Sequence, residues 1–171
     1  MKLDVGSMDN VQTTPDLLPA LKKVLFKVIA PSDPDSVRVE FKEGRIKAIA
    51  FTLQVDEPTP YVVEVMSAQG PTNVKRDACG RVLSIKANWY VDKDEFLGWK
   101  GSTQVGYDNK DYLRTLKQFG DAIGVDFARQ DVEDAYGRTL RADIVQRRYE
   151  TTDGEERTAN EVKNFRKSDA K

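Results

Sequence analysis

Histidine is absent from the 171-residue chain, and cysteine occurs once, at Cys79. The first absence removes the commonest general base, the commonest metal ligand and every catalytic triad built on imidazole. The second excludes an internal disulfide and gives no ground for an oxidising compartment, so a cytoplasmic location is expected. No window approaches the roughly 18 to 20 apolar residues that a membrane-spanning helix requires. The opening MKLDVGSMDN holds no apolar run of signal-peptide length. An excess of charge is missing too: 27 Lys and Arg stand against 28 Asp and Glu. Long-range attraction to nucleic acid or to an anionic membrane is therefore excluded, and any polyanion site must be a local patch.

Catalytic and metal motifs are also scarce. The carboxylate clusters at Asp33 to Asp35, Asp92 to Glu95 and Asp131 to Asp134 lack calcium-loop spacing, and one cysteine without histidine cannot make a zinc site. Solvated loops and helix starts account for them. GWKGSTQVGYD lacks the Gly-Lys-Ser/Thr ending of a phosphate-binding loop, and no serine sits in Gly-x-Ser-x-Gly. No cofactor, metal site or enzymatic activity is expected.

What is present is strand grammar. In KKVLFKVI, Val24, Phe26 and Val28 share one face, and Val37, Val39 and Phe41 alternate with polar residues ahead of a Glu43-Gly44 turn. Ile49, Phe51, Leu53 and Val55 line the next strand, which the prolines of DEPTP end. YVVEVMSA reads as a further strand, QGPTNVKRDACG as a loop, and RVLSIKANWYV as a strand with Leu83, Ile85, Ala87, Trp89 and Val91 toward the core. Tyr112, Leu113, Leu116, Phe119 and Ile123 recur at helical spacing after a cap at Asp108 or Asn109, with Gly124 as the stop. A short helical turn over 130–135 ends at Gly137, and a last hairpin turns at Asp153-Gly154. The expected architecture is mainly β: an arm over 1–20, anchored at Leu17 and Leu18, then one domain over 21–168. That domain is predicted to be a small OB-like β-barrel with one inserted helix and a C-terminal β-hairpin.

With chemistry unsupported, recognition by a surface is left, and basic residues interleaved with aromatic ones are its signal. VQRRYE offers Arg147, Arg148 and Tyr149, and its hairpin partner offers Lys163 and Phe165. A second segment offers Lys86, Trp99 and Lys100. Trp89 falls in register with Leu83 and Ile85 and reads as core, whereas Trp99, between glycines, fits core or surface equally. From residue 136 to 171 nine Lys or Arg meet seven Asp or Glu, so the patch is mild.

Ile123-Gly124, the acidic link Asp131 to Asp134, Gly137-Arg138, the polar turn Asp153-Gly154 and Asn160-Glu161-Val162 follow one another over about 60 residues. In that order they resemble the C-terminal half of a phage-encoded family of OB-fold-like single-stranded DNA-binding proteins. The resemblance implies a non-catalytic protein that binds single-stranded DNA during phage replication or recombination, in the host cytoplasm and away from membranes, alongside phage replication or recombination proteins. The chain ends NFRKSDAK rather than in the acidic tail by which many such proteins recruit partners. The alternative expectation is a phage structural or assembly protein, or one that binds a host factor, with the β-barrel as scaffold.

Overall fold

The computed structural model describes residues 1–4, 6, 17–33, 38–41, 46–87 and 109–169. The elements are β1 (Leu21–Ile29), β2 (Arg38–Phe41), β3 (Ile46–Val55), β4 (Pro60–Ser67), β5 (Gly70–Asp77), β6 (Val82–Ala87), α1 (Asn109–Ile123), a 3₁₀ turn (Val132–Ala135), β7 (Thr139–Glu150) and β8 (Glu156–Lys167). All ladders are antiparallel. The larger sheet runs β2-β3-β1-β7-β8, with β6 also on β3, and β4 and β5 form a second sheet of two strands. The larger sheet curls until β6 lies beside β8, yet no ladder among the described residues joins them. The protein is thus mainly β with two open sheets.

The curl follows from the sequence pattern. Val24, Phe26 and Val28 of β1, Phe51, Leu53 and Val55 of β3, Ile85 of β6 and Leu140, Ala142 and Ile144 of β7 all point to one side and are buried. A period of two puts them there, and burying that face requires the sheet to wrap. α1 closes the wrapped face. Phe119, fully buried, meets Phe51 at 4.8 Å, Phe165 at 5.5 Å edge-on and Phe127 at 6.2 Å between ring centroids. Such pairs add about 0.5 to 1.5 kcal/mol each beyond the burial itself.

The helix stop also packs as its sequence implies. Gly124 has φ 75°, a conformation that costs glycine nothing, and the Val125 amide reaches back to the Gly120 carbonyl at 2.9 Å. A Cβ on Gly120 would lie 2.5 Å from the Val125 carbonyl oxygen, so the close return of the chain depends on that glycine. Arg138 then caps the helix from outside, donating to the carbonyls of Ile123 and Gly124 at 3.4 and 3.5 Å and to that of Asp134 at 3.3 Å. Asp131 and Asp134 form a capping box at the 3₁₀ turn, where the Asp134 carboxylate accepts the Asp131 amide at 3.0 Å.

Two expectations change. QGPTNVKRD, expected as loop, is mostly β5, paired with β4 from Pro60↔Asp77 to Ser67↔Gly70. Pro71 and the polar residues of that segment lower its intrinsic strand preference, but pairing with the Val-rich β4 overrides propensity. Of the two expected anchors in the arm, only Leu18 is buried; Leu17 is 42% exposed. The Glu43-Gly44 turn, Asp108, Trp89 and Val91 lie outside the described residues.

Candidate nucleic-acid interface

The β7–β8 hairpin carries five of the eight expected site residues, and its two halves are built differently. Its inner half is clamped by Asp143, the one charged residue among the described ones that is buried, at 6% exposure. Asp143 accepts hydrogen bonds from both arms of the Arg166 guanidinium at 3.0 and 3.3 Å, from the Asn164 amide at 2.9 Å and from the Lys23 backbone N–H at 2.9 Å. The bidentate Arg166, assisted by Asn164 and Lys23, outweighs burial and holds the carboxyl far below the ordinary carboxylate range. Among the described residues, Lys23 and Asn164 are the two non-glycine residues with left-handed backbone, at φ 55° and 61°. Each sits where a strand register shifts, β1 on β7 and β7 on β8. One carboxylate therefore ties down two strained bulges. Beside it Arg141 bonds Glu57 at 2.8 Å and the carbonyls of Lys23 and Ser168, each at 2.9 Å, which fastens β1 and the chain end to the same face.

The arm is held one step further out. Asn160 accepts the Leu18 N–H at 2.9 Å and donates to the Leu18 carbonyl at 2.8 Å, and Gln146 donates to the same carbonyl at 3.0 Å. These amides pair one backbone residue as a strand would, and Leu18 is buried beneath them.

Beyond Gln146 the hairpin leaves the core. Residues 146–150 and 152–157 are exposed. The connection is closed by the Thr151 amide to the Glu155 carbonyl at 2.8 Å and the Gly154 amide to the Thr151 carbonyl at 3.0 Å, with Gly154 at φ 82°. Register places Tyr149 opposite Arg157 and Arg147 opposite Ala159, and alternation puts these four on one face. Tyr149 is 42% exposed, with Arg147 two residues before it on the same face and Arg157 across the ladder. Arg148 lies on the other face, 3.7 Å from Glu156, where Arg148, Tyr149, Glu150, Gly154 and Glu156 rim a hollow of about 400 Å³.

The expected residues separate accordingly. Arg147 and Tyr149 come together; Arg148 is adjacent on the opposite face. Lys163 shares the face of Arg147 but sits four residues along β8 from Ala159, about 14 Å away at strand spacing. Phe165 does not join them. The bulge at Asn164 adds a residue on β8, which turns Phe165 inward against Phe119, where it is partly buried. The Lys86 backbone lies in β6 opposite Ala50, and Trp99 and Lys100 lie outside the described residues. Arg157 was not among the expected residues: a two-residue turn at Asp153-Gly154 would set Thr158 across from Tyr149, whereas the longer connection over 151–155 shifts the register by one and brings Arg157 there.

Electrostatically the outer half is nearly balanced. Arg147, Arg148 and Arg157 face Glu150, Asp153, Glu155 and Glu156, and Arg157 pairs with Glu155 at 3.2 Å. Both ion pairs are well exposed, contribute about 0 to 1 kcal/mol, and can be exchanged for phosphates at little cost. The arrangement offers one accessible ring for stacking and up to three cations. No group of three or more metal-ligating side chains occurs among the described residues, and no helix there is long and apolar enough to cross a membrane. Comparison with known proteins gives no match: neither a protein-family model, nor a curated protein, nor a solved structure aligns with the chain.

Proposed function

We propose that this chain is a non-catalytic binding protein for single-stranded DNA, acting in phage replication or recombination in the host cytoplasm. The observation that carries the reading is the outer hairpin face, where the exposed Tyr149 shares one face with Arg147 on its own strand and Arg157 across the ladder. Flat rings stack on bases for about 1 to 3 kcal/mol each, and guanidiniums follow the phosphates. The order of ladders adds support. β1, β3, β6, then α1, then β7 and β8, with β6 beside β8, fits a five-stranded, partly open OB-like barrel. In that fold the connection between the fourth and fifth strands is a recurrent oligonucleotide contact, and here it is the β7–β8 turn. The resemblance across residues 112–167 points the same way, although its motif residues serve packing: Gly124, Arg138, Asp134 and Asn160 cap, brace or anchor.

Titrating a fluorescent single-stranded oligonucleotide at low and high salt tests the reading. With at most three cations at the site, the slope of log affinity against log salt is no steeper than about −2, near −0.7 per phosphate contact. Absence of binding at low salt removes the proposal. The near balance of charge on the same hairpin favours a second reading, a structural or host-factor-binding protein, for which a nuclease-resistant protein partner on co-purification would speak.

A further inference from the structure

β4 and β5 are joined in unbroken register, and among the described residues neither pairs with another strand. A two-stranded ribbon is marginal in water, and each of its outer edges presents unpaired backbone groups. The two edges differ in chemistry. β5, GPTNVKRD, carries Pro71, Lys75 and Arg76, the residue types that discourage strand addition. β4, PYVVEVMS, has its proline only at the first position, lacks lysine and arginine, and is rich in strand formers. Val62 and Met66 on it are 55% and 79% exposed.

We propose that β4 pairs edge to edge with β4 of a second copy of this chain, antiparallel about a two-fold axis, to make one four-stranded sheet. The hairpin turn is the two residues Ala68-Gln69. In such a hairpin the flanking pair, Ser67 and Gly70, exchanges hydrogen bonds, so alternation aims the backbone groups of Val62, Glu64 and Met66 at the free edge. A register centred on Glu64 would set two carboxylates side by side. Centred on Val63, the ladder joins Val62 to Glu64 and Pro60 to Met66, sets Val63 against its own copy, and packs Tyr61 on Val65. The assembly stops at two chains, because the edges then left outermost are those of β5.

Sedimentation velocity of the full chain tests this. The expected result is a shift to twice the single-chain mass as concentration rises. Glu64→Pro loses only an outward N–H, so the hairpin keeps its own ladder while self-association weakens about tenfold or more. A crosslink reads the register independently: in a Cys79→Ser background, Val63→Cys treated with diamide gives a disulfide dimer, the diamide taking up the two electrons and two protons, and Glu64→Cys gives far less. A chain that stays monomeric throughout, or no Val63→Cys crosslink, overturns the proposal, and the crosslink decides the matter even where Glu64→Pro fails to fold.

Discussion

The inner and outer halves of the β7–β8 hairpin share two strands, yet they have little else in common. From Leu140 to Val145 the strand buries four residues and surrounds a carboxylate with four donated hydrogen bonds. From Gln146 to Glu150, and from Glu155 to Arg157 on the return, every side chain is exposed. The first half is over-determined, so any change there is felt as lost stability. The second is held by its ladder, its turn and two exposed ion pairs, so its side chains remain accessible to a ligand. A rigid base that presents a solvated ring and guanidiniums is the division of labour expected of a binding hairpin.

Breaking the inner half should have the largest effect. Asp143→Ala strands the Arg166 guanidinium and releases both bulges, and urea unfolding should show a loss of about 3 to 5 kcal/mol. Phe119→Ala, which empties the centre of the aromatic cluster, should cost about 3 to 5 kcal/mol by the same measurement. Gly120→Ala forces a Cβ against the Val125 carbonyl and should cost about 1 to 3 kcal/mol, seen as a lowered melting temperature. The Asp143 clamp also predicts a pH dependence. Its carboxyl is depressed in the folded chain relative to an unfolded value near 3.9. The stability it contributes is therefore complete above about pH 5 and declines as pH falls through the unfolded value toward the folded one. Acid titration of the wild type should show that decline, and Asp143→Asn should flatten it. The smallest effect on stability belongs to the outer half: Tyr149→Ala should unfold within about 0.5 kcal/mol of wild type while weakening oligonucleotide binding by about 1 to 3 kcal/mol.

The same division explains what could be read in advance. Period-two patterning identified the buried faces of β1, β3 and β6, because burying one face leaves an unambiguous alternation. The helix over 109–123 and its stop at Gly124 were legible for the same reason, since spacing and a left-handed glycine are local signals. β5 was not, because its pairing is decided by β4 and not by its own composition. At the candidate site, the shared face of Arg147 and Tyr149 was legible from alternation within one strand, whereas Arg157 was not, because counting outward from a two-residue turn at Asp153-Gly154 puts Thr158 opposite Tyr149 and the actual connection is longer. That Phe165 turns toward Phe119 was not legible, because the extra residue at Asn164 reverses the faces beyond it. That bulge depends on Asp143 and Arg166, a contact across the ladder that no local pattern announces.

The central claim, that binding belongs to the outer half and stability to the inner, is tested most directly by hydrogen–deuterium exchange with and without a single-stranded oligonucleotide. The account predicts slow exchange over 140–145 in both states, and added protection on binding confined to residues 146–158. Protection elsewhere on the chain, or a hairpin tip whose exchange is unchanged by saturating oligonucleotide, would contradict it.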